Sequence, residues 1–442
     1  MSQRTNKLKE AIKAVPANIF SGFVVSLIAL PLGLGLAMAS DAPPMAGVIS
    51  AIVGGVVVSV FGGSHVTIAG PGNGLVGVLL VAISTLGLQD AYMAIICSGI
   101  LLVILGYLRL GKLADFFPST AIQGMLAAIG LIILGKQFHI MLGNRLSLEN
   151  NLDYIFAMPE AIVNVFYYSD VGAISAGLSG ILSLAILIIY PKLRNRYLQL
   201  VPAPMWIVLI SIAFSYYCEL VLKTPNLIAE DYMIRGIPPI EQLMNDLPDI
   251  RFTAFSDWLF WSQVLALALI SSVESLLSIK AVDQLDPSKR RSNFTKDIKA
   301  LGLATAVSGF LGGLNVVTVI ARSSVNVNSG GSNRSSNFFH AIFLLIFIVL
   351  FSSQLERIPL PALMAILVFT GYKLAAPKNM LKMVSIGKEQ LLIYFITLLS
   401  TLQIGLVAGI IIGTTSTFII HVVSTRSILV FTRNFLKPNV LM

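Results

Sequence analysis

Residues 312–326 read GGLNVVTVIARSSVN, and residues 62–74 read GGSHVTIAGPGNG. Each stretch opens with a Gly-Gly pair, continues through β-branched residues and ends in small residues. Gly and Pro interrupt helices, and β-branched side chains favour extended backbone, so each stretch predicts a short strand that leads into a short helix. The two pairs stand 250 residues apart, which indicates two related halves of one chain.

The composition around these stretches is that of a membrane protein. Of the 442 residues, 56% are hydrophobic and 12% are charged, whereas soluble domains carry about 25% charged residues. A soluble protein of this length could not cover so much apolar surface with polar groups. The net charge of +9 is then assigned to cytoplasmic loops and not to nucleic-acid binding. We predict an all-α polytopic membrane protein with no nucleic-acid partner.

Fourteen apolar segments are predicted to span the membrane, seven on each side of a polar stretch. They lie at about 17–39, 45–61, 66–84, 91–108, 117–135, 172–190, 201–218, 260–280, 297–311, 314–327, 336–353, 359–376, 389–404 and 406–424. With the N-terminus inside, most of the 30 lysines and arginines fall on the cytoplasmic side. Seven spans is an odd number, so the second half enters the membrane in the opposite sense, as a 7+7 inverted repeat.

This layout divides the chain into five parts. They are a cytoplasmic N-terminal helix at 1–16, a first repeat at 17–218, an extracellular or periplasmic connector at 219–259, a second repeat at 260–425 and a short cytoplasmic tail at 426–442. Both termini are then cytoplasmic, and the membrane is predicted to be the inner membrane of a bacterium. Cys97 and Cys218 show no metal-ligand spacing, and the four histidines are scattered, so no metal is expected.

Arg322 falls within the tenth predicted span. A membrane-buried arginine is costly unless it is paired, hydrated or bound to a ligand, and its guanidinium matches the geometry of oxyanions. Ser323 and Ser324 follow and can cap or donate at a helix start. Two readings stay open and are compatible: Arg322 attracts an anionic substrate, or it forms an internal salt bridge with Glu274.

Glu274 lies in the eighth predicted span, where serines that include Ser275 and Ser278 form a polar stripe at helical spacing. A lone intramembrane carboxylate is a functional candidate. It can take a proton, hold Na⁺ or neutralise Arg322, and the sequence does not choose between these roles. No cofactor is expected beyond coupling by H⁺ or Na⁺.

The two short helices are predicted to begin near the middle of the bilayer. A helix that begins there directs free N–H groups and a positive dipole end at that point, so two such starts facing one another make an anion site. The alternative is a pair of kinked packing helices, because Gly and Pro are common in membrane spans.

Four stretches of the sequence resemble the SulP family of sulfate permease-like anion transporters. They are LIALPLGLGLAMASDAPPMAGVIS at 27–50, FGGSHVTIAGPGNGLVGVLL at 61–80, ISSVESLLSIKA at 270–281 and SGFLGGLNVVTVIARSSVNVNSGG at 308–331. The resemblance implies fourteen spans, with spans 1–4 and 8–11 as a core domain and spans 5–7 and 12–14 as a gate domain that is usually dimeric.

The resemblance also implies which residues bind substrate. The family's anion site carries over to Gly70, Pro71, Gly72 and Asn73 and to Ala321, Arg322, Ser323 and Ser324, and its span-eight acid carries over to Glu274. Relatives often have Thr after the Gly-Pro pair and Ser before the arginine, where this chain has Gly72-Asn73 and Ala321. Relatives usually continue into a cytoplasmic STAS domain. The 442 residues do not include one, and two explanations stay open: a natural short form or a fragment of a longer chain.

The expected function is secondary active transport of small inorganic anions in a lipid bilayer. Sulfate or bicarbonate is favoured, with chloride as a further candidate, by elevator-type alternating access with H⁺ or Na⁺ symport or by exchange. A nucleobase–cation symporter of the same fold is the main alternative, and a channel-like or non-transporting anion-binding module is another. An enzyme is not expected, because the predicted spans lack an acidic metal motif and a Ser/His pair.

Overall fold

The computed structural model describes residues 14–108, 118–144, 146, 148, 150–167, 171–193, 201–221, 228–235, 248 and 253–425. The predicted N-terminal helix, apart from its last residues, and the predicted C-terminal tail lie outside the described residues.

The described chain is almost entirely helical. Its first part contains α1 (Val15–Ala39), α2 (Pro44–Phe61), β1 (Ala69–Gly70), α3 (Val76–Leu86), α4 (Leu88–Tyr107), α5 (Ser119–Met141), α6 (Asn151–Phe156), α7 (Met158–Tyr167), α8 (Val171–Ile189) and α9 (Ala203–Leu220). Its second part contains α10 (Trp258–Leu285), α11 (Phe294–Phe310), β2 (Val317–Thr318), α12 (Ile320–Asn328), α13 (Ser335–Leu355), α14 (Leu360–Leu374), α15 (Pro377–Ile386), α16 (Lys388–Ile404) and α17 (Leu406–Thr425).

Among the described residues, nine helices are long and apolar enough to span a membrane. This count takes α14 and α15 together as one segment, Leu360–Ile386. Two shorter apolar helices cover Asn73–Leu86 and Ala408–Ile420. Because so many helices are long and apolar, the chain is an integral membrane protein. Two of the remaining predicted spans are interrupted: α3 has 11 residues and α12 has 9.

Each interrupted span contains the short strand that the sequence predicts. β1 and β2 pair antiparallel, with Ala69 opposite Thr318 and Gly70 opposite Val317. β1 continues through a 3₁₀ turn at Asn73–Leu75 into α3, and β2 leads directly into α12. The strand-then-short-helix expectation is therefore confirmed, and the pairing brings the two Gly-Gly stretches together.

Glycines allow close contacts between helices. An ideal Cβ on Gly99 of α4 would lie 2.7 Å from the Gly302 carbonyl oxygen of α11, and one on Gly130 of α5 would lie 2.6 Å from the Gly371 oxygen of α14. Any side chain at these positions would force the helices apart.

Part of the predicted connector is packed against the helices. Met233 forms an isolated antiparallel bridge with Pro359, and the Ile234 N–H donates to the Ile358 carbonyl at 3.1 Å. Ile228 and Met233 are buried in one cluster with Ala176 of α8. This segment is thus attached to the helices around it and does not extend freely into solvent.

Candidate functional site

Side chains from the second half of the chain complete the hydrogen bonding of β1. Ser323 Oγ accepts from the Ile68 N–H at 2.9 Å, and Asn337 Oδ1 accepts from the Ala69 N–H at 3.3 Å. The Val319 N–H donates to the Ile68 carbonyl at 3.0 Å. A two-residue strand cannot satisfy its flanking backbone groups by itself, and lipid offers no substitute. These side chains therefore fix the position of the interrupted spans.

The start of α12 carries no side-chain cap. Val319 precedes the helix and makes no side-chain capping bond. Of the two roles left open for Ser323, capping and donating, the structure shows a donor: its hydroxyl donates to the Val319 carbonyl at 2.8 Å and accepts from the Ile68 N–H. Ile320 and Ala321, the first two residues of α12, are exposed. The first N–H groups of α12 thus have no side-chain cap, and such groups at the positive end of a helix can bind an anion.

Arg322, the third residue of α12, is completely buried. Its Nη1 lies against Gly70, where a β-carbon would overlap it. Neither Nε nor Nη1 has a hydrogen-bond partner among the described residues. A buried guanidinium with free donors is costly, about 3 kcal/mol or more in a membrane, unless a ligand or water satisfies it.

Glu274 of α10 lies at the turn that precedes α3. Its Oε1 accepts from the Gly74 N–H at 3.3 Å, and its Oε2 is buried without a hydrogen-bond partner in the described chain. A β-carbon on Gly72 would lie 2.7 Å from Oε1, and one on Gly74 would lie 2.8 Å from Oε2. The carboxylate therefore occupies the region at the start of the first short helix.

No ion pair or hydrogen bond joins Glu274 to Arg322 in the part of the chain that the structure describes. The mutual salt bridge that the sequence left open is not formed. The guanidinium lies against Gly70, whereas the carboxylate lies against Gly72 and Gly74. The buried Oε2 of Glu274 and the buried Nε and Nη1 of Arg322 consequently keep unused hydrogen-bonding capacity.

The other predicted site residues surround the same crossing. Pro71, Gly72 and Ser278 are buried, Asn73 and Ser324 are half-buried, and Ala321 is exposed. Ser275 Oγ accepts from the Thr318 N–H at 3.4 Å, which joins α10 to β2. The structure thus brings the span-three, span-eight and span-ten candidates to one place.

Three residues that sequence reasoning did not select belong to this region. Asn326 Nδ2 donates to the Val66 carbonyl at 2.8 Å, Asn337 binds Ala69, and His340 is completely buried one turn after Asn337. The available signal was the presence of Asn and His within apolar spans, since polar residues there usually have a role.

A second polar cluster lies beside the turn that precedes β1. Asp297 accepts from the Gly63 N–H at 2.7 Å and the Ser64 N–H at 3.0 Å. Burial and the nearby positive charge of Arg290 lower the pKa of His65, so the ring is neutral near pH 7. Within the described residues, no group of three His, Cys, Asp or Glu side chains could hold a metal ion.

Comparison with known proteins decides the family. The profile of the sulfate permease family matches residues 16–397, which is most of the chain.

The chain belongs to the sulfate permease family.

Relatives in this family carry names of anion transporters. The chain is 26% identical to "Putative sulfate transporter YvdB" of Bacillus subtilis over 92% of its own length and 73% of that protein. It is 23% identical to the bicarbonate transporter BicA of Picosynechococcus sp. over 93% of its own length and 70% of that protein. This family consists of membrane anion transporters and not enzymes, as predicted.

Two solved structures share the fold. The transmembrane domain of a cyanobacterium bicarbonate transporter BicA matches with a TM-score of 0.72 at 20% identity, over 91% of this chain and 97% of that one. The structure of SLC26A9 matches with a TM-score of 0.78 at 15% identity, over 96% of this chain and 70% of that one. At these identities the similarity establishes the fold alone.

Proposed function

We propose that this sulfate permease family member is a secondary active transporter of small inorganic anions. The observation that carries the proposal is the buried guanidinium of Arg322, which has free donors beside the uncapped start of α12. A tetrahedral or planar oxyanion satisfies both a guanidinium and helix N–H groups. The named relatives favour sulfate or bicarbonate, and chloride is a further candidate.

The proposed architecture has fourteen spans in a 7+7 inverted repeat, with α3 and α12 inside spans three and ten. Spans 1–4 and 8–11 form the core domain, which comprises α1 to α4 and α10 to α13. Spans 5–7 and 12–14 form the gate domain. The antiparallel pairing of β1 with β2 supports an internal two-fold relation, because each half supplies one strand and one short helix.

In this proposal the core domain carries the anion across the membrane as an elevator against the gate domain. The anion binds at Gly70, Pro71, Gly72 and Asn73 and at Ala321, Arg322, Ser323 and Ser324. We further propose a homodimer in the inner membrane of a bacterium, with both termini cytoplasmic and with transport driven by symport or by exchange.

Glu274 is the proposed partner of the coupling cation. Its Oε2 is buried with no hydrogen-bond partner among described residues, and Ser275 and Ser278 lie buried on the same helix. Oxygen atoms of this kind can hold Na⁺, and a carboxylate can also accept a proton.

Flux measurements on proteoliposomes test the proposal. Uptake of labelled sulfate and of labelled bicarbonate is measured with and without imposed H⁺ and Na⁺ gradients. Arg322→Gln removes the charge. Arg322→Lys keeps a positive charge but loses the planar guanidinium, which can donate two parallel hydrogen bonds to an oxyanion. We expect saturable uptake of one anion, its loss in Arg322→Gln and at least a tenfold decrease in Arg322→Lys.

Two outcomes would contradict this function. If folded and reconstituted wild-type protein takes up no anion, the alternative of a non-transporting anion-binding module is favoured. Uptake that rises linearly with concentration, without saturation, would identify a channel-like protein, because alternating access implies a limited number of carriers.

A further inference from the structure

A second group of free polar atoms lies beside Arg322 and is not used by the anion site. His340 is completely buried, and neither Nδ1 nor Nε2 has a hydrogen-bond partner among the described residues, although the backbone of Asn337 lies close enough to the ring to interact with it. Asn337 Nδ2 is also buried without a hydrogen-bond partner. Together with Nε and Nη1 of Arg322, these atoms form a buried cluster with unsatisfied hydrogen-bonding capacity.

The helices around His340 leave it no counter-charge. A β-carbon on Gly55 of α2 would lie 3.4 Å from Nδ1, and one on Gly22 of α1 would lie 2.8 Å from the backbone nitrogen of His340. Neither α1 nor α2 contains a charged residue, and α13 contains none besides His340 itself. Arg322 is a nearby charged group, because its Nη1 lies against Gly70 and Asn337, one turn before His340, accepts from the neighbouring Ala69 N–H.

This arrangement links the charge of His340 to the occupancy of the anion site. An imidazolium beside a bare guanidinium would place two like charges in a dry environment, which is unfavourable. An anion bound to Arg322 cancels that repulsion. Anion binding and proton binding therefore favour one another by the same factor in both directions.

We propose that His340 is the proton-binding residue of an anion–proton symport. The proton comes from water on the side where the anion enters, adds to a free imidazole nitrogen, and leaves to water on the other side after the anion is released. A dianion such as sulfate is then bound by two positive charges, those of Arg322 and of protonated His340. This inference rests on the proposed transport function. Of the two cations left open for Glu274, it gives the proton to His340 of α13 instead, so that Glu274 keeps only the role of holding Na⁺.

The test measures sulfate uptake and proton uptake together in proteoliposomes that contain a pH-sensitive dye. In the wild type we expect one proton per sulfate, with apparent sulfate affinity rising up to about tenfold per pH unit as the pH falls. His340→Gln should retain sulfate uptake at reduced affinity while losing proton uptake and the pH dependence. His139→Gln is the matched control, since His139 is buried on α5 and bonded to the Tyr154 carbonyl at 2.8 Å.

Three results would overturn the inference while leaving the proposed function intact. The first is sulfate uptake by the wild type with no accompanying proton uptake. The second is an unchanged pH dependence in His340→Gln. The third is loss of proton uptake in Glu274→Gln while His340→Gln retains it. Absence of any anion uptake by the wild type would instead reject the transport function.

If His340→Gln does not fold, calorimetry on the wild type keeps the inference testable. Sulfate is titrated in two buffers of different ionisation enthalpy, and the difference gives the protons taken up on binding. We expect about one proton per sulfate near pH 6. A value of zero between pH 5 and 8 would reject the role of His340.

Discussion

Gly70 and Arg322 show how single residues define this site. The guanidinium Nη1 occupies the volume beside Gly70 that a β-carbon would fill, so the position of the charge depends on the absence of a side chain. Gly72 and Gly74 make room for the Glu274 carboxylate in the same way. The glycines of the span-three motif therefore shape two pockets for two opposite charges.

Gly70→Ala should displace the Arg322 guanidinium and abolish anion binding, because even one methyl group overlaps Nη1. We expect sulfate affinity to fall at least tenfold, as measured by calorimetry on purified protein. The control is Gly35→Ala, whose β-carbon would meet Leu367 at an ordinary 3.6 Å. Wild-type affinity in Gly70→Ala would show that the guanidinium is not held at this position for binding.

Glu274→Gln should strengthen anion binding several-fold. The amide oxygen can still accept from the Gly74 N–H, while the substitution removes a negative charge from the start of a short helix where the anion is proposed to bind. The measurement is the sulfate dissociation constant at pH 8, with Glu219→Gln, an exposed acid paired with Arg357, as the control. Weaker or unchanged binding in Glu274→Gln would contradict the proposed proximity of carboxylate and anion.

At the scale of elements, β1 is held in place by side chains as well as by its backbone pairing with β2. The two strands contribute two residues each, so Ser323 and Asn337 supply the acceptors that the strands lack. The buried Asn326 adds another link: Ser21 of α1 donates to its carbonyl oxygen at 2.9 Å. The two interrupted spans are thus bonded to one another and to α1 and α13.

Ser323→Ala should reduce the free energy of unfolding by about 1–3 kcal/mol, since it leaves the buried Ile68 N–H without an acceptor. Thermal unfolding in detergent is the measurement. Ser324→Ala, at the neighbouring half-buried position, is the control for stability and should change it by less than about 0.5 kcal/mol. Equal effects of the two substitutions would show that the Ser323 bond does not contribute.

At the scale of the whole molecule, the proposed core and gate domains are connected by an ion pair. Asp41, in the turn between α1 and α2, lies 3.5 Å from the Lys136 ammonium of α5. Asp41 has a positive φ of 59°, a conformation that Asp and Asn tolerate better than most residues. Movement of the core along the gate would separate the two groups, so the pair stabilises the conformation seen here.

Asp41→Asn should shift the conformational equilibrium away from this state without disturbing the turn. A partly exposed pair contributes up to about 1 kcal/mol, so the expected change in transport rate is at most about fivefold. The check is the rate of sulfate uptake in Asp41→Asn, in Lys136→Asp and in the Asp41→Asn, Lys136→Asp double variant, which removes the repulsion of two carboxylates and keeps a residue that tolerates the positive φ. Failure of Asp41→Asn to recover part of the rate lost in Lys136→Asp would argue against a direct interaction.

Much of the fold could be read directly from the sequence. The scarcity of charge required a membrane protein, and the Gly-Pro and β-branched runs required interrupted spans, because these effects are local and depend only on residue type. Arg322 and Glu274 were recognisable as candidates for a similar reason: a charge within an apolar span is costly wherever the span lies.

Tertiary structure alone decided how these residues are arranged. Sequence could not show that Arg322 lies against Gly70 and apart from Glu274, or that Ser323 supports β1 instead of capping α12. The sequence also did not single out His340, since the significance of that ring comes from α1 and α2, which pack around it without a counter-charge. Hydrophobicity and backbone preference act along the chain. The partner of a buried polar atom can instead lie 305 residues away, as for Ser21 and Asn326, and only the folded packing brings the two together.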